Sequence, residues 1–130
     1  MVVQGPALVL TQSLSFWGGI DVETGKIIDR SHPQRGVSVT GTVLIMPGGR
    51  GSSSSSSVLA ECVRRGTAPV AIVLSTPDPI LMVGALVAEA LYGRRCPIVV
   101  RDVQGVVTGA IVEVQSSARS GGGAEAWKSW

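Results

Sequence analysis

Aromatic side chains are scarce in this sequence: one Phe, one Tyr and three Trp among 130 residues. Charge is also scarce, at 15% Asp, Glu, Lys and Arg, with a formal net charge of +2. That balance is too small for a nucleic-acid binder, and no Lys/Arg cluster interleaves with aromatics. There is a single histidine and there are two cysteines, Cys62 and Cys96, with no CxxC or Cys/His spacing. Neither a disulfide framework nor a zinc site is therefore indicated, and two reduced, buried thiols in a cytoplasmic protein are expected. No basic region precedes an apolar core at the N-terminus, so a signal peptide is not expected. The longest apolar run, from Pro79 to Ala88, is about half the ~20 residues of a membrane span. No membrane association is expected.

What the chain has is aliphatic residue, 45% hydrophobic overall, and 17 glycines. That is more apolar surface than a small monomer hides easily, and a partner subunit is one explanation. The most distinctive stretch is Met46-Pro47-Gly48-Gly49-Arg50-Gly51 followed by six serines, Ser52 to Ser57. The apolar run Thr42 to Ile45 enters it and the helix-like run from Val58 to Val63 leaves it. Glycines allow a tight turn there, and a serine can cap the new helix. The open N–H groups and positive end of the helix dipole suit an anion, and Arg50 adds a charge matched to carboxylate or phosphate. Composition alone also describes a flexible linker. The regular apolar flanks favour a structured functional turn.

Along the chain, Ala7 to Leu10 reads as an opening strand. Phe16 and Trp17, directly before Gly18-Gly19, read as core or interface packing. Asp21 to Lys26 is a polar turn. His32, beside Asp29 and Arg30, is either an acid–base group or a surface or turn histidine. Val37 to Ile45 reads as a strand partly buried on both faces. After the serines, Val58, Leu59, Cys62 and Val63 fall on one side of a helix that ends at Gly66. Val70 to Leu74 reads as a buried strand. Asp78 and Pro79 read as cap and first residue of a second helix, apolar on nearly all sides and expected inside. Pro97 to Val100 reads as a strand, and Val103 to Val114 as a closing hairpin. The order implies an α/β domain built on a sheet or barrel with two or more helices.

Several chemistries are absent. The serine turn lacks the Lys-Ser/Thr pair of a Walker A loop and the Gly-x-Ser-x-Gly of a nucleophile elbow. No Rossmann fingerprint follows a strand, and the chain holds too few ligands for a metal of its own. It reads as half of an active site.

Three blocks carry a resemblance. Gly49-Arg50-Gly51-Ser52-Ser53 resembles the Gly-x-Gly-Ser-Ser turn of the swivelling domain in aconitase relatives. The run from Leu14 to Pro33, the serine run through Glu61, and Pro77 to Ala85 resemble more narrowly the small subunit, or swivel domain, of aconitase X. The resemblance implies a swivelling β/β/α fold, a compact, partly closed, barrel-like mixed sheet with helices outside. The matched blocks span about residues 5 to 100, and the domain is expected over residues 1–115, with 116–130 as a flexible tail ending in Trp127 and Trp130.

The resemblance further implies a hydro-lyase that dehydrates a hydroxy acid together with a larger subunit. That partner would hold the iron, as an iron–sulfur cluster or a single iron. Two activities are implied: dehydration of cis-3-hydroxy-L-proline to pyrroline-2-carboxylate, favoured by the serine run and Phe-Trp-Gly-Gly block, and dehydration of mevalonate 5-phosphate. A stand-alone swivel domain that binds an anion or carries a phosphoryl group on His32 is the other alternative. Carried over by position, Ser52 is the catalytic base, and Ser53, Arg50, Gly51, Gly19 and His32 are the substrate-binding set. In aconitase an arginine follows the two serines; here that place is Ser54.

Overall fold

The computed structural model describes residues 2–115, so the expectations for 116–130, Trp127 and Trp130 lie outside the described residues. The elements run β1 (Val2–Val9), a distorted turn α1 (Phe16–Gly19), β2 (Val43–Met46), α2 (Ser55–Arg65), β3 (Ala71–Leu74), α3 (Pro79–Tyr92), β4 (Ile98–Val100) and β5 (Ile111–Gln115). They form one mixed five-stranded sheet in the order β4-β3-β2-β1-β5. The expected mixed sheet with helices outside it is borne out.

Two crossovers make the helical half. β2, β3 and β4 are parallel to one another and β1 is parallel to β2, with Ala7 opposite Val43 and Val43 opposite Ala71. Parallel neighbours require long connections, and α2 and α3 provide two of them. β2 and β3 are buried at every position, as continuous aliphatic runs predict for strands covered on both faces. On one face Leu8, Leu44, Met46, Ile72, Leu74 and Ile98 meet Leu59, Cys62 and Val63 of α2 and Leu81, Ala85 and Ala88 of α3. On the other, Ala7, Val43, Ile45, Val73 and Val99 meet Val112 and Val114 of β5, with Val103 and Val106 packed at the margin.

β1 belongs to both halves. Its end pairs with β2, while its beginning pairs antiparallel with β5, Val3 opposite Val114 and Gly5 opposite Val112. The expected hairpin over Val103–Val114 is therefore corrected: β5 pairs across the chain with β1, and no strand forms at 103–110. The strand expected over Val37–Ile45 is likewise shorter. Only Val43–Met46 is a strand, and Ser38 makes an isolated bridge to Lys26 instead.

The helices end as their sequences dictate. Gly66 takes a left-handed φ of 81° and its N–H closes on Cys62 and Val63 carbonyls. Asp78 accepts from the N–H groups of Ile80 and Leu81, with Pro79 first in α3. The expectation that α3 lies inside is overturned. Only Leu81, Gly84, Ala85 and Ala88 are buried, whereas Val83, Leu86, Val87 and Leu91 are exposed. A single helix layer on a sheet covers one stripe of each helix, and nothing in the described chain lies over the other. Both cysteines are buried and free. Among the described residues, no helix is long and apolar enough to cross a membrane.

Candidate active site

The chain turns from β2 into α2 at one end of the sheet, and the turn needs its glycines. Gly51 has φ +103°, and a Cβ there would run into the Ser15 side chain. A Cβ on Gly49 would overlap the Asp78 carboxylate, at its Oδ2, and one on Gly48 would come within 2.6 Å of Thr76 Oγ1. Three neighbouring segments thus press against bare backbone: the Ser15–Trp17 turn, the β3–α3 connection and the start of α3 itself.

The helix begins earlier than its apolar face. α2 includes Ser55, Ser56 and Ser57, three residues before Val58. Serines form helix interiors poorly but suit first turns, where side-chain and backbone bonds compete on equal terms. Ser55 is buried, and its Oγ accepts from the Trp17 N–H at 3.1 Å. Ser56 Oγ donates to Ser53 O at 3.0 Å. The run is ordered structure, which removes the linker reading.

Ser52 is the junction residue. Its Oγ accepts from the Ser54 N–H at 3.1 Å, and its carbonyl accepts from the Ser55 N–H at 3.0 Å. The side-chain cap expected of a serine here is not formed: Ser54, the residue before the helix, makes none, and the Ser52 bond closes a turn just upstream. Among the described residues, none of the N–H groups from Gly49 to Ser53 donates to a protein acceptor. Successive open amides at the positive end of an 11-residue helix form a nest for negative charge. A cavity of about 220 Å³ opens there, lined by Gly49, Arg50, Gly51, Ser52, Ser55 and the Pro77–Ile80 segment.

Arg50 is on the rim, its side chain 55% exposed, with Nη2 3.8 Å from Asp29 Oδ2. Asp29 Oδ1 accepts from the Ser31 hydroxyl at 2.7 Å and the Ser31 N–H at 2.9 Å. Those two bonds hold its carboxyl below the usual carboxylate range, and the more distant Arg50 adds to the effect. Arg50 therefore faces Asp29, and the hydroxyl of Ser52 is stabilised by the Ser54 N–H in its place.

Of the remaining expected residues, Ser53 is exposed next to the cavity without lining it. Gly19 is buried behind the rim; its carbonyl accepts from the Ile28 N–H at 2.9 Å, and a Cβ on it would touch Leu14 and Asp29. His32 is not a surface residue. It is 5% exposed, its Nδ1 accepts from the Gln34 N–H at 3.1 Å and its Nε2 lies 3.1 Å from Gln12 O. With Nδ1 accepting, Nε2 is the nitrogen placed to donate to Gln12 O, and the ring bridges two loops. Neither nitrogen is free to carry a phosphoryl group. Phe16 is core as expected, but Trp17 is 58% exposed beside α2.

Sequence reasoning missed Asp78 as a site residue. The Asp-Pro pair announces a helix cap, and nothing local announces that its second oxygen lies against Gly49, 29 positions earlier. Among the described residues no group of three His, Cys, Asp or Glu could hold a metal ion. Cys62 and Cys96 are sealed in the core, where burial pushes the Cys96 thiol up to about 12. The donor set here does not fit iron.

A family model for the aconitase X swivel domain matches residues 1–120. A cis-3-hydroxy-L-proline dehydratase of Pseudomonas aeruginosa is 51% identical over 94 residues, which are 72% of this chain and 16% of that protein. A phosphomevalonate dehydratase small subunit of Methanopyrus kandleri is 48% identical over 87 residues, 67% of this chain and 64% of that subunit. Among solved structures, holo aconitase X of Thermococcus kodakaraensis superposes with a TM-score of 0.78 at 33% identity, covering 88% of this chain and 83% of that one. The chain thus spans about a sixth of the length of the hydroxyproline dehydratases it matches.

Proposed function

This chain belongs to the aconitase X swivel-domain family, and from that membership we propose that it is the base-bearing half of a hydro-lyase completed by a larger subunit. The swivel domain is proposed to span residues 1–115. The observation that carries the proposal is Ser52: a hydroxyl in the cavity, receiving a backbone N–H, at the positive end of α2. An ordinary serine is a poor base. A donor aimed at Oγ and a helix dipole both favour its alkoxide over the neutral hydroxyl.

In the reaction, the Ser52 alkoxide takes the proton from the carbon beside the substrate carboxylate. The C–H electron pair becomes the double bond as the hydroxyl on the neighbouring carbon leaves. The open amides from Gly49 to Ser53 suit the carboxylate and the charge that develops on it. Arg50, drawn between Asp29 and an incoming anion, completes the binding side, with Ser53 beside it. Gly19 and His32 act through the backbone they hold. Departure of the hydroxyl belongs to groups outside this chain, and so does the iron expected of the complex.

The substrate we favour is cis-3-hydroxy-L-proline, supported by the 51% identity to an enzyme named for it. The second reading is mevalonate 5-phosphate, favoured by the archaeal small subunits that match at 39–48% identity. The test is turnover by this chain combined with its large subunit, offered each substrate in turn. Water loss from cis-3-hydroxy-L-proline, by the complex and by neither chain alone, is the expected result. Turnover of the phosphorylated substrate alone would transfer the assignment to the second reading.

A further inference from the structure

The cavity beside Ser52 has two chemically opposite walls. One is the donor wall of open N–H groups from Gly49 to Ser52. Facing it from the start of α3 is the only carboxylate in the lining, Asp78. The two oxygens of Asp78 are used differently. Oδ1 accepts from Ile80 N at 2.9 Å and from Leu81 N at 3.3 Å, which completes the cap. Oδ2 accepts from no described residue and lies over Gly49, at a place only a glycine leaves open. The nearby cation does not neutralise it, since Arg50 pairs with Asp29 on the rim.

A carboxylate is an acceptor only, so an unpartnered oxygen in a cavity calls for a donor, and most strongly for a cationic one. We infer that Asp78 is the specificity-determining residue of this site, its Oδ2 accepting the ammonium of a zwitterionic α-amino or α-imino acid whose carboxylate lies in the amide nest. The inference rests on reading the serine turn as a dehydratase half-site and assigns the substrate class within it. A substrate bearing only negative charge would meet Asp78 as a like charge in a confined space and bind more weakly. The cap alone explains Oδ1 but gives Oδ2 no partner. Gly49 is likewise explained only if the carboxylate has to reach that position.

The experiment uses the complete complex, as wild type and as the Asp78→Asn variant. Asparagine caps a helix as well as aspartate does, so the fold is kept while the charge is lost. Calorimetry compares two probes of one ring size, L-proline, which carries the ammonium, and cyclopentanecarboxylate, which lacks it. The wild type is expected to bind L-proline at least about tenfold more tightly, the size of one hydrogen bond to a charged group. The variant should lose that preference and keep its affinity for cyclopentanecarboxylate. With cis-3-hydroxy-L-proline as substrate, KM should rise about tenfold in the variant and kcat should change far less. An equal preference for L-proline in both proteins overturns the inference, as does a variant whose affinities for both probes fall together with its melting temperature. A wild type that prefers L-proline yet turns over no hydroxyproline contradicts the activity reading alone, because the binding comparison does not need turnover.

Discussion

In the proposed reaction, Ser52 and the glycine before it act through one backbone geometry. Gly51 sits at φ +103°, and Ser15 fills the space a side chain would need. Gly51→Ala adds backbone strain and a clash, so the variant should lose about 1–3 kcal/mol of stability. Its kcat should fall further than that loss explains, because the Ser52 hydroxyl moves with the turn. Thermal melts beside steady-state kinetics check this, and a variant with wild-type kcat would detach Gly51 from positioning the base. Asp29 makes a different prediction. Its folded carboxyl is held below the usual range, so whatever it contributes is present above its unfolded pKa and is lost as pH falls through the lower folded value. The Arg50 pairing is then constant across neutral pH. A pH–rate profile of the complex should show no inflection in the neutral range that Asp29→Asn removes.

At the scale of elements, the site depends on how closely α3 packs on the first turn of α2. A Cβ on Gly84 would come within 2.7 Å of the Ser56 carbonyl oxygen and 3.1 Å of its Cα. Both atoms are backbone and cannot rotate away. Gly84→Ala should therefore push the helices apart, costing about 1–3 kcal/mol. The same shift separates Asp78, which caps α3, from Ser52 at the mouth of α2. Activity of the complex should fall although Gly84 itself does not line the cavity, and unchanged melting with unchanged kinetics would show that the crossing is slack. The elements around the site were legible in the sequence: the apolar run into Gly48-Gly49, the serines, the helix closed by Gly66, and the Asp-Pro start of α3. Local signals of that kind survive folding because the bonds that make them are local. What was not legible depends on partners distant in the chain. β5 pairs with β1 from the opposite end of the sequence, His32 is buried by Gln12 and Gln34, and Asp78 Oδ2 meets Gly49. The apolar outer face of α3 resembled a core segment because periodicity counts apolar residues and not the layers available to cover them.

For the whole molecule, the two faces of the sheet are packed differently, and both cysteines lie on the helical side. Cys96 is pushed up to about 12 by burial, so its neutral thiol is favoured in the folded state. The stability it contributes is complete below the ordinary thiol pKa and is lost as pH rises from there towards the folded value. Neither thiol should react with an alkylating reagent at neutral pH until the domain opens globally. Labelling across a urea titration should follow the unfolding transition, and fast labelling in the absence of urea would contradict the packed core. On the proposed function, the domain should also show no dehydratase activity alone.

The most direct test of the central claim is exchange of the substrate proton beside the carboxylate, followed in deuterated solvent with the assembled complex. Wild type should exchange and eliminate that proton on cis-3-hydroxy-L-proline. Ser52→Ala, assembled to the same extent, should lose both by about 10²–10⁴-fold, the range expected on removing a positioned base. Exchange and elimination at the wild-type rate in that variant would show that the base lies elsewhere.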